Sequence, residues 1–180
     1  NEKGIPVVLD ACGAGATRLR DEKCFEILKE VKIDILKGNV SEIARIAGED
    51  VRTKGVDAGT VNGDIAEAAK SAAEKFNCTV AVTGKEDIVA GGSRIYTVKN
   101  GHEMMTHVVG TGCMAASVIG AFAAVERDLA AAATAALCCF GIAAECAAQA
   151  ASGPMAFKNK IFDCLFSLDK ETVSKLQRIE

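Results

Sequence analysis

Residues 4–10, GIPVVLD, run apolar and largely branched and stop at an aspartate, and the next stretch, ACGAGATR, changes at once to glycine and small side chains. A strand apolar at consecutive positions has no solvated face, so it belongs in a parallel sheet covered on both sides. Beyond the glycine loop, Leu19, Cys24, Ile27, Leu28 and Val31 recur at helical spacing over residues 18–31, with charge on the opposite face. Strand, loop and helix make one crossover unit, which restricts the chain to an α/β architecture.

The pattern repeats. KIDILKGN reads as a strand entering a turn, and SEIARIAG as a short helix closed by Gly48. Residues 62–77 are helical, and CTVAVTG, 78–84, is a strand ending in Thr-Gly. DIVAGGSRIYTVKNG reads as a hairpin around Gly91 and Gly92, with a further turn at Asn100-Gly101. From Gly112 onward the periodicity is helical almost to the end, and neither an internal repeat nor an interdomain linker interrupts the chain. In parallel α/β sheets ligands gather at the carboxyl ends of strands, where Asp10, Asn39 with Glu42, and Thr83 fall.

The 180 residues, 49% hydrophobic, suffice for a substantial core. The 21 basic and 24 acidic residues are interspersed, which argues against a nucleic-acid or anionic-membrane surface and for small-molecule chemistry. Eight cysteines without a C-x-x-C pair or a signal peptide predict reduced thiols in a cytoplasm. Residues 128–152 carry an uncharged run that ends at Glu145, short of the roughly 18–20 apolar residues a membrane span requires. A tightly packed soluble helix is expected there.

THVVGTGCMAASVIGAFAAV, residues 106–125, sets a cysteine behind two glycines at the mouth of an apolar helix. Glycine lets backbone N–H groups approach an anion, and a helix N-terminus favours negative charge. Cys113 reads in two further ways, as a small buried hydrophobe or as a nucleophile served by His102 or His107 in a cysteine hydrolase. ACGAGA lacks both the Lys-Ser/Thr ending of a P-loop and dinucleotide-fingerprint spacing. Asp10, a carboxylate closing a buried strand, needs a partner or a cation, whereas Glu42 taken alone is an ordinary surface residue.

Taken in order, VVLDACGAGATR, LKGNVSEIARI, KGVDA, AVTGKEDIV and VVGTGCMAASVIGAF closely resemble the hydroxyethylthiazole kinase family of the ribokinase-like superfamily, along the whole chain including GPMAF. The resemblance implies a three-layer α/β/α fold with a mainly parallel central sheet, the N-terminal part of that sheet being absent, so that residues 1–180 form the C-terminal portion of one kinase domain. It implies transfer of the ATP γ-phosphate to the hydroxyl of 4-methyl-5-(2-hydroxyethyl)thiazole, with Mg²⁺, in a cytoplasmic homotrimer whose sites lie between subunits. Position by position, Asp10 and Glu42 hold Mg²⁺ largely through water. Lys37 and Thr83 contact ATP, and the N–H groups from Gly110 through Thr111 and Gly112 to Cys113 bind the transferring phosphoryl. Gly110 also borders the thiazole, and Cys113 stands where most of the superfamily has a catalytic aspartate. The helix N-terminus is expected to lower its pKa from about 8.5.

The sequence departs from the family in two places. Ala11 and Cys12 occupy positions commonly held by proline and valine, which predicts the same loop path with less rigidity. Roughly the first third of a typical member is not represented, so the acceptor pocket is expected to be incomplete here and the strand at 5–10 to lie at an edge. The competing expectations are another ribokinase-like small-alcohol kinase, acting for example on a hydroxymethylpyrimidine, and a catalytically silent nucleotide-binding fragment.

Overall fold

The computed structural model describes residues 1–48 and 61–180; KGVDA, 54–58, lies outside the described residues. Five strands lie side by side in sequence order: β1 (Val8–Asp10), β2 (Ile35–Asn39), β3 (Thr79–Thr83), β4 (Asp87–Gly91) and β5 (Arg94–Val98). The β1, β2 and β3 strands run parallel, whereas β4 and β5 are antiparallel to their neighbours, so the sheet is mixed. The expectation of parallel pairing holds on the half where three strands end at one edge. A hairpin builds the other half.

Side-chain alternation sorts the core into two layers. Ile35, Ala81 and Val89 join one buried cluster with Ile119, Leu137, Phe157 and Ile161. Leu36, Val80, Val82, Ile88 and Ala90 join a second with Ile43, Ile46, Ala69 and Ala72. The first layer is formed by α4 (Thr111–Ala123), α5 (Leu129–Ala150) and α6 (Pro154–Phe166), and the second centres on α2 (Val40–Ala47) and α3 (Val61–Phe76). A short α7 (Lys170–Leu176) follows α6. This is the three-layer α/β/α arrangement.

The front of the chain differs from its sequence pattern. Only three of the residues in the run 4–10 form β1, and they are half-buried because β1 is the outer strand among the described residues, paired on one side with β2. The helix that follows, α1 (Arg18–Glu30), buries Cys24 but leaves Leu19 64% and Ile27 39% exposed. An apolar stripe is buried only where a neighbouring element covers it.

The alanine-rich α5 packs against β3, β4, β5, α4 and α6. It is long and apolar enough to cross a membrane, yet most of it is buried in this core. Alanine and glycine permit the close approach: a Cβ on Gly141 would lie 2.6 Å from the Asn100 backbone. Asn100 is itself buried and fully engaged, donating to Leu176 O (3.0 Å) and to Glu145, and accepting from Arg178 N (2.8 Å). Glu145, the charge that ends the apolar run, also accepts from Gly101 N (2.7 Å) and pairs with Arg178. Close by, Ile179 bridges to Val98, and Thr97 and Glu180 exchange backbone hydrogen bonds.

Candidate active site

The site is assembled where β1, β2 and β3 end. Lys37 has the same side-chain parity on β2 as Ile35, so it faces the α4 layer; it is paired in register with Asp10 and donates to Asp10 Oδ1 at 3.1 Å. Its side chain is 95% shielded. The ammonium reaches the start of α4, where a Cβ on Gly112 would sit 3.1 Å from Nζ. Glycine at 112 therefore lets the buried cation sit against the first turn of the helix.

That turn is open. Gly110 at the N-cap has φ 100°, a conformation suited to glycine, and no side chain caps the helix. The Thr111 hydroxyl donates backward, to Met105 O (3.2 Å) and Val108 O (3.3 Å), and so anchors the approach to the helix. Met114 N–H makes the first intrahelical bond, to Gly110 O. The amides of Thr111, Gly112 and Cys113 belong to the turn whose N–H groups project from a helix N-terminus toward an anion.

Facing this turn is the glycine loop, residues 11–16. Gly13 and Gly15 both have positive φ, and the loop is braced by three side chains. Glu42 Oε1 accepts from Gly13 N (2.7 Å), Asp21 Oδ1 accepts from Gly15 N (2.6 Å), and Arg20 Nη1 donates to Cys12 O (2.8 Å). Arg45 grips the other Asp21 oxygen through Nε and Nη2. Arg45, followed by the Gly15 amide, holds the Asp21 carboxyl below the usual carboxylate range. The loop is thus tethered at three points. Sequence reading did not find Arg20, Asp21 or Arg45, whose signal was only their spacing on α1 and α2.

Glu42 has a second task. Its Oε2 accepts from Asn39 N (2.7 Å) while the Asn39 side chain accepts from Glu42 N (2.9 Å), a capping box at the start of α2. Glu42 is therefore fixed in orientation by the strand end and the loop at once. Thr83 is half-buried, in register with Asn39, and its hydroxyl donates to Gly38 O at 3.4 Å. Asp87, which sequence reading overlooked, accepts from Gly84 N (3.0 Å). Burial pushes its carboxyl up to about 7, against the opposing pull of the Gly84 amide and Lys37.

Cys113 is exposed, so it is not a buried core residue. Its thiol is raised, not lowered: desolvation dominates, with Asp10 and Cys12 adding to it and Lys37 opposing. This runs against the expectation of a helix-activated thiolate, because removing the thiolate from water costs most, and the Asp10 carboxylate and the Cys12 thiol add to that cost. The nucleophile reading fares no better. His102 Nδ1 accepts from Met104 N (3.1 Å) and its ring centroid lies 6.3 Å from that of Phe157, while His107 ends an exposed 3₁₀ turn, Glu103–His107. The groups acting on the Cys113 thiol are Asp10, Cys12 and Lys37.

The donor set bears on which cation could be held here. No cluster of three or more His, Cys, Asp or Glu side chains is arranged to hold a metal among the described residues. Two carboxylates, Asp10 and Glu42, flank the glycine loop, and both are already oriented by hydrogen bonds. That suits an ion such as Mg²⁺, which keeps most of its water and is held by one or two carboxylates together with phosphate oxygens.

The chain is similar to known proteins along its length. The model of the hydroxyethylthiazole kinase family matches residues 1–171. Hydroxyethylthiazole kinase from Methanosarcina acetivorans is 53% identical over 180 residues, covering 100% of this chain and 69% of that protein. The enzyme of the same name from Chloroflexus aurantiacus is 46% identical over 179 residues, covering 99% of this chain and 66% of its own length. The solved structure of hydroxyethylthiazole kinase from Pyrococcus horikoshii superposes with a TM-score of 0.90 at 40% identity, covering 100% of this chain and 66% of that one. An ADP/ATP-dependent NAD(P)H-hydrate dehydratase from Bacillus subtilis shares the fold alone, with a TM-score of 0.60 at 21% identity, covering 94% of this chain and 56% of that one. The chain spans about two thirds of the length of the thiazole kinases it matches.

Proposed function

The chain belongs to the hydroxyethylthiazole kinase family, and from that premise we propose how its residues divide the work of moving the ATP γ-phosphate to the hydroxyl of 4-methyl-5-(2-hydroxyethyl)thiazole. The observation that carries the reading is the uncapped first turn of α4, set against a buried lysine and a braced glycine loop. Phosphoryl transfer passes through a loose transition state, so it needs little beyond alignment and charge neutralisation.

The amides of Gly110, Thr111, Gly112 and Cys113 receive the transferring phosphoryl. Lys37 supplies positive charge beneath it, and Thr83 hydrogen-bonds the nucleotide phosphates from the end of β3. Asp10 and Glu42 hold the waters of Mg²⁺, which when bound neutralises charge on the phosphates. Cys113, protonated near neutral pH, orients the acceptor hydroxyl rather than deprotonating it outright, and Gly110 leaves room for the thiazole beside it. The acceptor pocket is completed outside these residues, by further chain of the same protein and by a neighbouring subunit of a homotrimer. The reaction belongs to thiamine salvage in the cytoplasm.

The test is phosphate transfer from ATP to a panel of heteroaromatic alcohols by the complete protein. Preference for the thiazole alcohol supports the reading. Preference for a hydroxymethylpyrimidine, or nucleotide binding without transfer to any alcohol, overturns it.

A further inference from the structure

Two thiols meet at the phosphate site. Cys12 opens the glycine loop and Cys113 opens α4, and both are exposed. Their proximity follows from the chain of contacts beneath them: Cys12 lies two residues from Asp10, Asp10 accepts from Lys37 Nζ (3.1 Å), and Nζ lies 3.1 Å from the Cβ position of Gly112, the residue before Cys113. The Cys12 thiol acts electrostatically on the Cys113 thiol, and the Lys37 ammonium acts on it from beneath. We propose that Cys12 and Cys113 form an oxidative cross-linking site, a reversible disulfide that ties the glycine loop to the first turn of α4.

The other thiols are placed differently. Cys24 and Cys138 are buried, and burial pushes the Cys78 and Cys138 thiols up to about 11. Cys146 and Cys164 approach one another, but both are partly buried against the α5–α6 layer. Only at Cys12 and Cys113, among the described residues, do two exposed thiols face each other. Glycines adjoin both thiols, Gly13 after Cys12 and Gly112 before Cys113, so neither of these neighbours places a side chain beside the sulfurs.

The chemistry requires an oxidant of the hydroperoxide class. One sulfur, as thiolate, attacks the peroxide; the O–O bond breaks, the sulfur becomes a sulfenic acid, and water or an alcohol departs. The second thiolate then attacks that sulfur and expels hydroxide, which leaves as water after protonation. Two S–H groups are oxidised, one peroxide is reduced, and an S–S bond remains. A small thiol reverses it by exchange. The bond would span the space that the proposed reading gives to the γ-phosphoryl and the acceptor hydroxyl, so the functional consequence rests on that reading whereas the cross-link does not.

The experiment exposes the reduced complete protein to limiting hydrogen peroxide and follows it by intact mass and by peptide mapping without reductant. The expected result is a loss of two hydrogens, with a peptide joining Cys12 to Cys113 as the first linked species, absent in Cys12→Ser and removed by dithiothreitol. Thiols that remain free, over-oxidise singly, or pair first as Cys146 with Cys164 would overturn the proposal. ATP with Mg²⁺ should slow the linkage. A linkage that forms at the same rate with and without nucleotide keeps the cross-link and counts against the kinase assignment of this site.

Discussion

The Lys37 ammonium meets Asp10 Oδ1 at 3.1 Å, with 5% of the lysine side chain and 18% of the aspartate side chain exposed. A carboxylate at the end of a strand would normally be open to solvent; here it is the partner that makes a buried cation affordable. The pair couples the end of β1 to the start of α4, and each half of it carries a role in the proposed phosphate site.

Lys37→Met should therefore injure the protein twice. Leaving Asp10 without its partner should cost about 2–4 kcal/mol, below the full penalty for an enclosed ion because the aspartate keeps some solvent. Loss of the charge beneath α4 should also weaken nucleotide binding. Urea unfolding read beside nucleotide titration separates the effects, and a Lys37→Met protein with unchanged stability would show that the ion pair is inert.

Glu42→Gln tests the doubly held carboxylate. A side-chain amide has one accepting oxygen, so it cannot take both the Gly13 and Asn39 amides as Glu42 does. Turnover in the complete protein should fall by about two to four orders of magnitude through lost charge near the phosphates, with a modest drop in melting temperature from the weakened capping box. Activity within about twofold of the parent at saturating Mg²⁺ would remove Glu42 from the metal assignment.

For Cys113, alanine and aspartate make opposite demands. Cys113→Ala should lower kcat about 10- to 1,000-fold, because the helix amides and Mg²⁺ carboxylates remain. Cys113→Asp should be active, since an anion is welcome at a helix N-terminus and can accept the hydroxyl proton. A folded, ligand-binding but dead aspartate variant, together with a covalent adduct on the wild-type thiol, would return the nucleophile reading.

Asp87 gives stability a pH signature. Its folded pKa, pushed up to about 7 by burial, lies above the ordinary value of 3.8, so the folded state holds a proton that the unfolded state releases. The contribution is fully present below the unfolded value and is lost as pH rises through about 7. Asp87→Asn, which keeps an oxygen for the Gly84 amide, should flatten the decline in melting temperature between about pH 4 and pH 8. An unchanged slope would mean that another group carries it.

Strand ends and helix mouths were legible because their signals are local: Asp10 and Asn39 close apolar runs, Gly48 adopts the left-handed cap its position predicts, and Gly110 opens a helix. The burial of the front elements was not legible. Leu19 and Ile27 look like core residues from their spacing, but exposure depends on which element lies opposite, and spacing does not encode that. The antiparallel hairpin's pairing with β3, the bracing of the loop by Arg20 and Asp21, and the elevation of the Asp87 carboxyl likewise arise from contacts between residues far apart in the chain. The raised Cys113 thiol is the clearest case: helix position alone predicts the opposite direction, and desolvation, with Asp10 and Cys12 adding to it, reverses it.

Because Lys37 faces α4 by virtue of its parity with Ile35, β2 is sensitive to changes of length as well as to loss of that side chain. Inserting one residue between Ile35 and Leu36 would turn the ammonium toward α2 and send Leu36 from its core layer to the phosphate site. Lineages of this protein should thus record no gaps along this strand, a constraint that two-residue pleating adds to the chemistry of Lys37 and Asn39.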